Sequence, residues 1–89
     1  MKEAYLEVTY RRGRLLAAYL YLPRRPGDRS SRTSRVEPGL LIDYTRAGRP
    51  IGVEITAPAR VTLTALNRIL RHLGVPALTR ADLAPLKAA

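Results

Sequence analysis

Two carboxylates near the middle of the chain are the pair best placed for chemistry. Asp43 lies in the alternating run Leu40-Leu41-Ile42-Asp43-Tyr44, and Glu54 lies in Ile51-Gly52-Val53-Glu54-Ile55. The turn Arg46-Ala47-Gly48-Arg49 between the runs reads as a hairpin connection that sets Asp43 opposite Gly52. Side chains alternate along strands, so Asp43 and Glu54 then point to one face. Two close carboxylates can share a proton or hold a cation. No third or fourth ligand stands at a defined spacing, and 14 arginines are at hand to neutralise the pair. The stronger reading is two charges on the open face of a sheet.

Other reactive side chains are isolated. His72 is the single histidine and falls on the flank of a helical stripe, in its last turn, where a cation complements the helix C-terminus. Ser30, Ser31 and Ser34 sit among arginines with no candidate base nearby in sequence. There is no cysteine, no histidine pair and no glycine-rich phosphate loop after a strand. Nucleophilic catalysis has no visible support, so we expect no enzyme activity, no catalytic residue, no metal and no cofactor.

The basic residues form the second candidate. The chain has 16 Lys+Arg against 7 Asp+Glu, a net charge of +9 that attracts anions. Segments 1–10 and 36–57 each carry −1, whereas 11–35 carries +7 and 58–89 carries +4. Arg11, Arg12, Arg14, Arg24, Arg25, Arg29, Arg32 and Arg35 are therefore candidate contacts for nucleic acid or another anion. Arginine meets phosphate oxygens bidentately and stacks on bases. The alternative is that arginine usage reflects compositional bias and serves solubility. Pro23-Arg24-Arg25-Pro26 has the minimal spacing of a polyproline ligand, a pattern frequent by chance.

The elements that position these residues follow from hydrophobic period. Ala4, Leu6, Val8 and Tyr10 alternate with Tyr5, Glu7 and Thr9, a half-buried strand. After the Arg11-Arg12-Gly13-Arg14 turn, Leu15 to Leu22 reads as a second strand, with Leu16, Ala18, Leu20 and Leu22 on one face and Leu15, Ala17, Tyr19 and Tyr21 on the other. Both faces are apolar or aromatic, which suits a strand that is central or covered on both sides. Residues 23–35 have no apolar side chain beyond two prolines and read as a mobile basic loop. The hairpin of Leu40 to Thr45 and Ile51 to Thr56 follows. Leu63, Leu66, Ile69, Leu70 and Leu73 then mark one face of a helix, with Thr62 as N-cap and Gly74 and Pro76 as stop signals. Thr79-Arg80-Ala81-Asp82 resembles a capping box that opens a short last helix with Leu83 and Leu86.

Strands followed by helices predict an α+β fold: a small antiparallel sheet of about four strands, with a C-terminal helix and a short last helix packed on one face. Eighty-nine residues make a single domain, 1–89, with a sheet region at 4–57 and a helical region at 62–88. The longest apolar run has eight residues, far short of the roughly 20 a membrane span requires. We expect a soluble, cytoplasmic protein without membrane contact. The face bearing Tyr5, Tyr19 and Tyr21 is open to three readings: a dimer interface, plain core, or a stacking platform for nucleic acid.

Several of these segments together resemble a known family. Val8-Thr9-Tyr10 leads to Tyr19-Leu20-Tyr21-Leu22; later come Gly39-Leu40-Leu41-Ile42-Asp43-Tyr44, Gly48 and Ile51-Gly52-Val53-Glu54-Ile55. Residues 4 to 57 are similar to the small bacterial proteins of domain-of-unknown-function family 2283. That family has an acidic Asp-Pro turn where this chain has Arg11-Arg12-Gly13, and a shorter, less basic connection than 23–35. The resemblance implies a small bacterial α+β protein with no established enzyme activity and, in some cases, a neighbouring toxin–antitoxin-type partner. It supplies no catalytic residues.

Three functions are then in view. The first is a non-enzymatic interaction protein that self-associates as a homo-oligomer, a dimer first, and binds a protein partner, an acidic one given the charge. The second is a nucleic-acid-binding protein that uses the arginine-rich turn and loop. The third is a small hydrolase or metal site at Asp43 and Glu54.

Overall fold

The computed structural model describes residues 4–87. Five strands come first: β1 (Tyr5–Arg11), β2 (Arg14–Tyr21), β3 (Arg32–Glu37), β4 (Leu40–Tyr44) and β5 (Pro50–Ile55). A single 3₁₀ turn, Pro58–Arg60, leads to α1 (Leu63–His72) and α2 (Arg80–Lys87). The strands form one antiparallel sheet in the order β1-β2-β5-β4-β3. The α+β class and the helices on one face are as the sequence predicts.

Period-2 patterning sets which residues face the helices. Across the sheet, Val8, Ala18, Ile55 and Leu40 form one row, and Leu6, Leu20, Val53 and Ile42 form the next. Leu66, Ile69 and Leu70 of α1, and Leu83 and Leu86 of α2, complete the same apolar cluster. Leu20, Ile42, Ile55, Leu66 and Leu70 are almost wholly removed from water. Each such side chain contributes about 1.5–3 kcal/mol of burial free energy, which makes this layer the main source of stability.

The helix ends follow their local signals. The Thr62 hydroxyl accepts from the Ala65 N–H at 3.1 Å. At the other end Val75 N–H donates to Leu70 O at 2.9 Å and Gly74 N–H to Arg71 O at 3.1 Å, the paired bonds of a Schellman cap, with Gly74 at φ +73. The α2 capping box is reciprocal: Thr79 N–H donates to Asp82 Oδ2 at 2.8 Å, and Asp82 N–H donates to Thr79 Oγ1 at 3.2 Å.

Two expectations are corrected. The sheet has five strands rather than four, because Arg32 to Arg35, assigned above to the mobile loop 23–35, begin β3. β3 lies at the sheet edge and, among the described residues, pairs only with β4. An edge strand draws its order from backbone hydrogen bonds to one neighbour, so it needs no apolar alternation to exist. The remaining loop is also held: Ser31 N–H donates to Tyr44 O at 2.8 Å, and Asp28 Oδ2 accepts from Arg25 N–H at 2.8 Å.

The second correction concerns Leu16. Thr9 pairs with Ala17 but Tyr10 pairs with Leu15, so Leu16 is the extra residue of a bulge. The pleat resets there. Leu15 packs against the core, and Leu16 is 47% exposed.

Candidate interaction face

The side of the sheet away from the helices carries two rows of functional side chains. One row is Tyr5, Tyr21, Gly52, Asp43 and Thr33; the other is Glu7, Tyr19, Glu54, Leu41 and Arg35. Asp43 stands opposite Gly52 and shares a face with Glu54, as the hairpin register predicts. The candidate interface residues Tyr5, Tyr19 and Tyr21 are brought together. Tyr5 stacks on Tyr21 with ring centroids 4.5 Å apart and planes at 12°, and Tyr19 leans against Tyr21 at 4.7 Å and 58°. Tyr5 is 49% exposed. No helix of the described residues packs on this side.

Tyr19 is tied into the surface by a link that crosses a strand. Its ring lies over Gly52, where a Cβ would overlap the phenol. Its hydroxyl donates to Asp43 Oδ2 at 2.7 Å, while Thr33 Oγ1 donates to Asp43 Oδ1 at 2.6 Å. Both carboxylate oxygens are thus engaged by hydroxyls. Burial, followed by the hydrogen bond and charge of Asp43, pushes the Tyr19 phenol far above its ordinary range. The Glu7 charge raises Tyr21 in the same direction. Tyr19 is therefore a neutral donor at ordinary pH rather than a nucleophile.

Arg24 folds back from the loop onto this cluster. Its guanidinium lies 4.9 Å from the Tyr21 centroid, Nη2 donates to the Tyr19 hydroxyl at 3.4 Å, and Nε donates to Ile51 O at 3.2 Å. The face therefore mixes aromatic rings with Glu7, Asp43 and Glu54 and with Arg24 and Arg35.

The eight candidate anion-contact arginines are not gathered into one patch. Arg11, Arg12 and Arg14 occupy the β1–β2 turn, where Arg12 takes φ +52. Arg24, Arg25 and Arg29 lie in the loop at the opposite end of the eight-residue β2, roughly 25 Å away at ~3.3 Å per residue. Arg32 turns to the helix side, 4.6 Å from the Tyr44 centroid, whereas Arg35 stands on the open face. His72 is exposed and borders a shallow groove with Val36, Tyr44 and Ile69, beside the 3.1 Å ion pair of Arg68 and Glu37.

Sequence reasoning missed a cleft at the loop end of the sheet, where Arg46 and Arg49 of the β4–β5 turn face Asp28, Arg29, Ser30 and Ser31. Arg49 pairs with Asp28. The hydrogen bond from Arg49, with a second from the Arg25 backbone, holds the Asp28 carboxyl below its usual range. The available signal was the pair of arginines flanking the hairpin turn, one strand downstream of the basic segment.

Residues 17–57, just under half the chain, match the family model described as a protein of unknown function, DUF2283. The chain resembles DUF2283. No curated protein and no solved structure matches it. The DUF2283 segment starts within β2, not at the Ala4 of the wider resemblance read from sequence, and ends after β5. It includes Tyr19, Tyr21, Asp43, Gly52 and Glu54, together with the loop-end cleft; Tyr5, Glu7 and both helices lie outside it. Among the described residues no helix is long and apolar enough to cross a membrane.

Proposed function

We propose that the protein is a small, non-catalytic interaction module that pairs with a second copy of itself through the open face of the sheet. The observation that carries this reading is the stacked Tyr5–Tyr21 pair, with Tyr19 beside it, on a sheet face that no helix of the described residues covers. A two-fold interface must be self-complementary. This face suits that requirement because it bears carboxylates (Glu7, Glu54) and guanidinium groups (Arg24, Arg35) around a tyrosine centre. Tyrosine and arginine are the side chains that most often anchor interfaces. A nucleic-acid backbone is the poorer fit, since three carboxylates stand among the rings that would have to stack on bases.

Five strands at ~4.8 Å spacing and about 20 Å long offer on the order of 500 Å² of projected area. A standard interface buries roughly 800 Å² of accessible surface per partner, so a face of this extent is sufficient for a small interface, and a concentration-dependent equilibrium is expected. Light scattering or sedimentation from low to high micromolar concentration tests it. The expected result is a monomer–dimer equilibrium that Tyr5→Ser with Tyr21→Ser shifts to monomer, with the fold unchanged by circular dichroism. A wild-type protein that stays strictly monomeric at high micromolar concentration overturns the reading.

A further inference from the structure

We propose that the cleft at the loop end of the sheet is a binding site for a small phosphate-bearing ligand, a phosphate monoester or free phosphate. The cleft has a volume of about 410 Å³. That lies at the low end of the range of small-molecule pockets, roughly 300–1,000 Å³. Its walls carry Arg29, Arg46 and Arg49 against one carboxylate, Asp28. Asp28 is already satisfied, because it pairs with Arg49 and accepts the Arg25 N–H. Arg29 and Arg46 have no ion-pair partner among the described residues. The lining therefore holds two uncompensated positive charges, which match a phosphate dianion.

The donors suit the same group. Guanidinium forks meet tetrahedral oxyanions with two N–H bonds each. The hydroxyls of Ser30 and Ser31, also in the lining, supply further donors. The frame is fixed on both sides. Gly48 N–H donates to Thr45 O at 2.9 Å and Arg49 N–H to Thr45 Oγ1 at 3.1 Å, which closes the β4–β5 turn; Ser31 N–H is bound to Tyr44 O. The site is thus largely formed without its ligand. A long polyanion is disfavoured, since the neighbouring sheet face presents Asp43 and Glu54.

The probes are inorganic phosphate, glycerol phosphate and a single-stranded oligonucleotide, each titrated at low ionic strength into the 89-residue chain in a non-phosphate buffer. Backbone amide and arginine Nε–H shifts are followed by NMR. Saturable shifts are expected at Arg29, Ser30, Ser31 and Arg46 with phosphate or its monoester. Arg29→Ala or Arg46→Ala should weaken binding by roughly ten-fold each. Arg60→Ala, which removes an exposed charge elsewhere, should leave it unchanged. Response to both phosphates identifies the phosphate group itself as the ligand, and response to the monoester alone identifies an organic phosphate. Non-saturating shifts, an equal loss in Arg60→Ala, or binding of the oligonucleotide alone overturns the proposal, because each of these reports a diffuse field rather than a site. Unchanged spectra of the variants away from the substituted positions establish that they fold.

Discussion

Tyr19 and Asp43 are hydrogen-bonded although a whole strand separates them. The phenol of β2 reaches over β5 to the carboxylate on β4, and the distance from hydroxyl to Oδ2 is 2.7 Å. The crossing is possible because the residue beneath the ring is Gly52, which is buried and has no Cβ. One absent methyl thus joins three central strands on the side without helices.

Gly52→Ala places a methyl where the Tyr19 ring sits. The ring cannot move aside without breaking its bond to Asp43. A loss of about 1–3 kcal/mol is expected, as for other overpacked sites. Urea unfolding should show it as a lower midpoint at unchanged slope. The double variant Gly52→Ala, Tyr19→Ala should lose less than the sum of the two singles, because the clash is then gone.

The Tyr19 phenol has its pKa raised on folding, so the folded state holds its proton more tightly than the unfolded chain. Its contribution to stability is complete below the ordinary tyrosine pKa of about 10 and declines as pH rises through the higher folded value. Absorbance titration should show one tyrosine that ionises after the others, and Tyr19→Phe should remove that step. Ionisation of all five tyrosines together would contradict the assignment.

Asp28 has the opposite sign. Its lowered pKa means that its contribution is complete above the ordinary aspartate pKa of about 3.9 and is lost as pH falls through the folded value. In Arg49→Ala the Asp28 carboxyl should titrate closer to the ordinary range, by carbon-detected NMR. An unchanged midpoint would show that the Arg25 backbone bond alone sets it.

Asn67 fastens the segment between the helices. Its side chain accepts from Leu78 N–H at 2.8 Å and donates to Leu78 O at 3.0 Å. Asn67→Ala leaves both backbone groups unpaired in a half-buried place, an expected cost of about 1–3 kcal/mol. Hydrogen exchange should accelerate in residues 78–87 before it does in β4 and β5.

Much of this arrangement was legible in the residues. The alternation around Gly48 fixed the register that sets Asp43 opposite Gly52, and the α1 stripe with Thr62 and Gly74 defined that helix at both ends. β3 was not legible, because Arg32 to Arg35 carry no apolar period and owe their order to β4. The Leu16 bulge was hidden because Leu15 and Leu16 are equally apolar, so pattern alone cannot say which turns inward. The Tyr19–Asp43 bond joins strands that are not neighbours, and no two-strand register reveals it. Gly52 inside an otherwise alternating run was its one outward sign, since such a glycine often marks a close approach.

The two margins of the sheet bear on how copies of the protein can assemble. On one side β3 is short, carries Arg32 and Arg35, and is interrupted by an unpaired Val36 between the Arg35–Leu41 and Glu37–Leu40 pairs. On the other, α2 reaches β1, where the Tyr10 hydroxyl lies 3.4 Å from Pro85 O. Charge and irregularity at the β3 margin hinder the lateral addition of further strands there. Growth into ribbons or fibrils from that margin is thereby opposed, whereas the proposed face-to-face pairing would end at two copies.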